Sequence, residues 1–207
     1  MCIRDRTHTT RALAAAVAAA ATLGALSAPA TASTQRTSDP ASDVMRVTGA
    51  SDDDRCGGAC EAFERPEVDV RDWRSTYDDS GLRMAATFGA VAQGVVVAWR
   101  VTGPGTAFTV SLRSSRSGLT CGIYRPDDGY RDPDPCDGVG FSLDAGARTY
   151  RVTVAARLLG GARALRTGVG AWHRAGRYTY VDDGTRERFN PYRVKVFPGL
   201  GPSVTRG

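Results

Sequence analysis

The sequence predicts an all-β fold, an antiparallel and jelly-roll-like β-sandwich of about eight to ten strands behind a disordered N-terminal segment. Three observations predict it. Short runs alternate apolar and polar residues with period two. Turn residues separate those runs at a spacing of roughly 8–12 residues. Beyond the first thirty or so residues, no window keeps a helical apolar period for more than a couple of turns.

The elements follow in chain order. Residues 1–32 read as a cleavable signal peptide. Arg11 supplies positive charge, and the apolar run from Ala12 to Leu26 has the length of a signal h-region. It is too short for a bilayer, which needs ~20 apolar residues. Pro29 breaks it, and Ala30-Thr31-Ala32 offers cleavage between Ala32 and Ser33, with Ala28-Pro29-Ala30 as second choice. The six residues MCIRDR at the start resemble translated sequencing-adaptor read-through. No Cys follows the h-region to take a lipid and no later stretch could anchor in a membrane, so the expected location is extracellular.

Residues 33–60, rich in Ser, Thr, Asp, Ala and Pro over most of their length, read as a flexible segment. The sandwich is expected over 61–200, with 201–207 as a tail. Val68, Val70 and Trp73 open a first strand toward Tyr77, and Asp78–Gly81 turns the chain. Leu82, Met84, Ala86 and Phe88 alternate cleanly, as do Val95, Val97, Trp99 and Val101. After Gly103-Pro104-Gly105 come Phe108, Val110 and Leu112, then a strand over 119–125. Val139, Phe141 and Leu143 precede a turn at 144–147, and Tyr150, Val152 and Val154 follow it. Residues 155–160 suit one helical turn. A hairpin around His173-Arg174-Ala175 joins 165–172 to 176–181, and 192–197 suits a last strand.

Composition narrows the function. Without residues 1–32, 175 residues remain at a net charge of about +3, enough for one domain with a real core. The arginines are interleaved with Asp and not gathered into a basic face, which argues against a nucleic-acid partner. A GC-rich genome accounts for arginine in place of lysine. Cys56, Cys60, Cys121 and Cys136 read as two disulfides in an exported chain. Three pairings are open, and the local one, Cys56–Cys60 with Cys121–Cys136, is favoured. Zinc is the rival reading, made poor by the distance between Cys121 and Cys136 along the chain.

The chemistry-bearing residues are few. His173 is the one histidine beyond the signal, and no G-x-S-x-G elbow accompanies it, so a hydrolytic triad is disfavoured. Acidic residues crowd into 127–137. Within them Asp132, Asp134 and Asp137 suggest a calcium loop, although they lack the regular D-x-D-x-D-G spacing and the closing Glu. The competing reading is a solvated acidic turn partly neutralised by Arg125 and Arg131. A glycosidase would need two carboxylates across a cleft, and the sequence places no such pair. Trp172, Tyr178 and Tyr180 could form a sugar-stacking platform, or could equally pack in the core or at its rim.

From about Glu67 onward the chain resembles a group of small secreted actinobacterial proteins of unknown function. The resemblance is carried by Val68-Asp69-Val70 with the turn at 78–81, by Leu165–Trp172 followed by Tyr180-Val181-Asp182-Asp183, and by the tail Gly201–Gly207. That group is similar in outline to DOMON-type and carbohydrate-binding modules, which implies a β-sandwich and does not establish activity. Some DOMON-type domains hold haem through Met and His. Met84 and His173 are present here, but no motif aligns them, so the resemblance assigns no ligand and no cofactor is expected. The expectation is therefore a secreted module that binds rather than catalyses, with a carbohydrate or a cell-surface protein as partner. An exported hydrolase using an Asp/Glu pair and a structural or protein-interaction module are the alternatives.

Overall fold

The computed structural model describes residues 32–48, 62–126, 133–185 and 198–207. Among them the protein is all-β, with thirteen strands in two antiparallel sheets and a single 3-10 turn, Ala156–Leu159. The smaller sheet has the order β1 (Ser33–Ser38), β4 (Val70–Asp78), β5 (Gly81–Phe88), β10 (Thr149–Ala155), β9 (Val139–Asp144). The larger runs β3 (Ala62–Phe63), β2 (Val44–Thr48), β12 (Tyr178–Asp183), β11 (Ala164–Ala175), β6 (Val96–Gly103), β7 (Thr106–Ser115), β8 (Gly118–Tyr124). A short strand, β13 (Ser203–Thr205), pairs with β11 at Ala164–Arg166, on the edge that β12 occupies farther along at Gly170–Ala175.

The period-two runs explain the core. Leu82, Met84, Ala86 and Phe88 of β5 face inward with Tyr150, Val152 and Val154 of β10. Val97, Trp99 and Val101 of β6 meet them from the larger sheet, beside Phe108, Val110 and Leu112 of β7. The first predicted strand has a phase break between Val70 and Trp73, and the structure supplies its cause. The β4–β5 register shifts between Val70 and Asp72, so a bulge turns both Val70 and Trp73 inward.

Strand β4 also stitches the sheets together with polar groups. Trp73 Nε1 donates to Gly184 O at 2.6 Å, the Ser75 and Thr167 hydroxyls lie 2.7 Å apart, and the Tyr77 hydroxyl donates to Ala162 O at 2.5 Å. Buried polar groups are costly unless paired, so these three bonds fix the sheets at one separation and angle.

Three sequence expectations change here. Residues 33–48 are not flexible, because β1 and β2 lie in opposite sheets and are joined by a short turn. The polar composition of β1 hid that strand, since it is held by a backbone ladder to β4 and buries only Gln35. The tail is not free either, as β13 pairs with β11 and buries Val204. Finally, His173-Arg174-Ala175 belongs to β11, where His173 pairs with Tyr180, and the hairpin turns instead at Gly176-Arg177. Gly176, at φ 61°, suits that two-residue turn better than the three residues before it. Cys121 and Cys136 form a disulfide. Cys56, Cys60 and the expected strand at 192–197 lie outside the described residues.

Candidate functional site: an outer groove and a buried acidic cluster

The predicted aromatic platform is divided between two faces of the larger sheet. Trp172 pairs with Val181 across β11 and β12, whereas Tyr180 pairs with His173. Directly paired residues share a face and alternate ones do not, so Trp172 stands opposite Tyr178 and Tyr180. Tyr180 is buried in the main core, with Tyr178 packed beside it and Phe63 edge-on at 5.9 Å. Arginines cap this end of the sandwich: Arg46 over Phe63 and Tyr178, Arg65 over Tyr180, and Arg177 over Tyr178. The two tyrosines are therefore packing residues. His173 Nδ1 lies 3.3 Å from Glu67 Oε1, and no nucleophile stands with this pair in the described contacts.

Trp172 lies on the outer face, half-buried against Met45, Val47 and Val181, and borders a groove of about 320 Å³. Its walls include Val96, Ser111, Arg113, Thr120 and Tyr124, all beside or near Trp172 on β6, β7 and β8. The geometry follows from the pleat. Arg113 pairs with both Val96 and Thr120, and Val96 pairs with Trp172, so the four share one outward face. Pro133, held near Gly122 by the Cys121–Cys136 disulfide, closes one side. An apolar ring stands next to hydroxyl and guanidinium donors, and that combination can hold a flat polyhydroxylated ligand.

The predicted calcium loop is not assembled among the described residues. Asp134 is tied to Arg125 through Oδ2 at 2.9 Å, and its backbone bridges Ile123. Asp137 is exposed, and Asp132 lies outside the described residues. The carboxylates gather elsewhere. Asp39 follows β1, Asp43 precedes β2, and Asp182 is the penultimate residue of β12, and each brings one oxygen within 4.8 Å of the others. Asp69 and Asp183 flank them.

Asp182 is fully buried; its Oδ2 accepts from Val70 N at 2.7 Å and its Oδ1 from Asp183 N at 2.8 Å. Asp183 accepts from Gly199 N at 2.9 Å and from Thr185. Asp69 is 1% exposed; its Oδ2 takes Ser42 N at 3.2 Å and Arg71 at 2.6 Å, while Oδ1 is buried without a hydrogen-bond partner. Asp39 Oδ2 is likewise buried without one. Burial, with the negative charges of Asp182, Asp43, Asp183 and Asp69 added, pushes the Asp39 carboxyl up to about 9. Burial and then Asp43 push Asp182 well above the carboxylate range. Burial also raises Asp69, against the lowering effect of Ser42 N and Arg71.

Sequence reading missed this cluster because its members sit far apart in the chain and only the topology unites them. The one available signal was Asp182-Asp183 closing an otherwise apolar strand. No helix of the described residues is long and apolar enough to cross a membrane. Compared with models of known protein families and with curated proteins, the chain matches none.

Proposed function

We propose that the chain is an extracellular, non-catalytic binding module whose ligand is a glycan seated against Trp172 on the outer face of the larger sheet. One observation carries this reading: Trp172 lines a groove with Tyr124, Arg113, Ser111 and Thr120, whereas the other strand aromatics of the hairpin are packed inside. A sugar offers an apolar C–H face to an indole and hydroxyls to a guanidinium and side-chain hydroxyls. The groove lies at the small end of the ligand-pocket range, ~300–1,000 Å³, which suits one or two sugar rings. Export, read from residues 1–32, would place such a module among cell-wall and environmental polysaccharides.

A glycan array probed with folded protein tests the reading, followed by titration of tryptophan fluorescence with any hit. Binding that Trp172→Ala abolishes, with thermal melting within a few degrees of the wild type, supports it. A blank array, or binding that survives Trp172→Ala, refutes it.

A second reading, an exported hydrolase, draws on the convergence of Asp39, Asp43 and Asp182. It is the weaker fit. Asp69, Asp182 and Asp183 are shut away from solvent, and none of the five lines the groove at Trp172. Release of reducing sugar from a panel of polysaccharides, lost in Asp43→Asn, would favour the hydrolase over the binding module.

A further inference from the structure

We propose that Asp39, Asp43 and Asp182, backed by Asp69, form a binding site for a calcium ion that clamps the two sheets together. The ligand set is all carboxylate oxygen, with no His or Cys in the group, and such hard oxygen donors select calcium or magnesium over zinc. Three donor atoms within 4.8 Å of one another fit around one ion with bonds of ~2.4 Å, the calcium distance. Magnesium, at ~2.1 Å, demands a tighter and more regular octahedron.

A crowd of carboxylates alone would not make a site. The independent observation is Asp69, which lies outside that group of three. It is 1% exposed, it is fixed through Oδ2 by Ser42 N and Arg71, and its Oδ1 is buried with no donor. An uncompensated buried carboxylate oxygen costs stability, and a cation is the partner that would satisfy it. Asp39 Oδ2, in the same surroundings, makes the same demand. Ser42, whose N–H bonds Asp69, adjoins Asp43, and Val70, whose N–H bonds Asp182, follows Asp69, so the backbone places Asp69 beside the other carboxylates.

The placement also explains what the ion would do. Asp39 follows a strand of the smaller sheet, Asp69 immediately precedes β4 of that sheet, and Asp43 and Asp182 border strands of the larger one. Asp182 already spans the sandwich by accepting from Val70 N. A cation here would hold the β1–β2 turn, the entrance to β4 and the end of β12 at a single point.

The test is thermal melting of the full chain in EDTA, calcium or magnesium, with calorimetric titration of calcium into metal-free protein. At a hundredfold excess over Kd, calcium is expected to raise Tm by roughly 5–10 °C, and magnesium by less. Asp39→Asn and Asp43→Asn should each weaken calcium at least tenfold. In EDTA, Asp39→Asn should melt no lower than the wild type near pH 7, because the amide replaces a carboxyl that burial among other carboxylates already keeps protonated. That sign separates a metal ligand from a merely structural aspartate, whose loss would lower Tm in every buffer. No calorimetric heat and equal Tm in EDTA and calcium would overturn the proposal. So would a calcium response that both variants retain.

Discussion

The hydroxyl oxygens of Ser75 and Thr167 meet 2.7 Å apart in the middle of the sandwich, one from each sheet, and neither residue is exposed. Each is the other's partner across an apolar interior. Removing one therefore strands the other, at a cost of about 1–3 kcal/mol. Removing both together should cost less than the sum of the single changes. Urea unfolding of Ser75→Ala, Thr167→Val and the double variant measures this as a cycle, and strictly additive losses would show that the pair is not coupled.

Gly168 allows the returning chain to touch β11. A Cβ placed on Gly168 would stand 1.6 Å from Gly199 O, an impossible approach to backbone that cannot rotate away. Gly168→Ala should therefore lose at least about 3 kcal/mol and release the segment from Gly199 onward. Limited proteolysis reads the release directly, and a variant as resistant as the wild type would contradict it.

The Cys121–Cys136 bridge closes a loop of 15 residues. Loop-closure entropy puts its contribution near ~3 kcal/mol. Reduction, or Cys121→Ser with Cys136→Ser, should lower the denaturation midpoint by a corresponding amount. Because the bridge sets Pro133 against Gly122 at the groove wall, ligand affinity at Trp172 should fall as well. Non-reducing peptide mapping confirms the pairing, and an unchanged midpoint on reduction would deny it a stabilising role.

Tyr150 is buried with its hydroxyl lacking a hydrogen-bond partner. Burial pushes its phenol above the ordinary value, with nearby Ser114 acting weakly the other way. A raised folded value means that the neutral form is favoured in the native state. Its stability contribution is full below the unfolded value of ~10 and is lost as pH rises through the raised one. Tyr150→Phe should accordingly be neutral or stabilising by about 1 kcal/mol at pH 7, and should flatten the fall of Tm above pH 10. A loss of several kcal/mol at pH 7 would show that the hydroxyl is bonded after all.

The middle of the fold was legible because its strands are half-buried. In β5 and β10 inward residues alternate with outward ones and burial follows the written pattern, whereas in β9 the expected inward Phe141 is exposed. The edges were not. β1 carries Ser, Thr, Gln and Arg, and its pairing to β4 is a matter of backbone that side-chain pattern does not encode. The residue pattern ends β11 at Trp172 because His173 and Arg174 look like turn residues, although Gly176 is the position that turns. Trp172 was legible as a candidate, but its separation from Tyr178 and Tyr180 depends on the hairpin register, which moved when the turn moved. The acidic cluster was illegible for a different reason. Local density of Asp pointed to 127–137, while Asp39, Asp43 and Asp182 are brought together by the fold and not by closeness of all three in sequence.

The Ser33 hydroxyl donates to Thr205 O at 2.8 Å and accepts Thr205 N at 2.7 Å, across a separation of 172 residues. Nearby, Gly201 N bonds Thr167 O and Arg206 N bonds Arg163 O, so among the described residues the 163–167 part of the β11 edge is covered by residues 201–206. Assembly therefore has a built-in sequence in time. A chain emerging N-terminus first can pair β4 through β12 early, but this part of the β11 edge stays bare until residues 201–206 arrive. That interval is when two copies could pair edge to edge. It also marks where the finished protein should first exchange its amide hydrogens, with residues 163–167 and 201–206 opening before any strand of the centre.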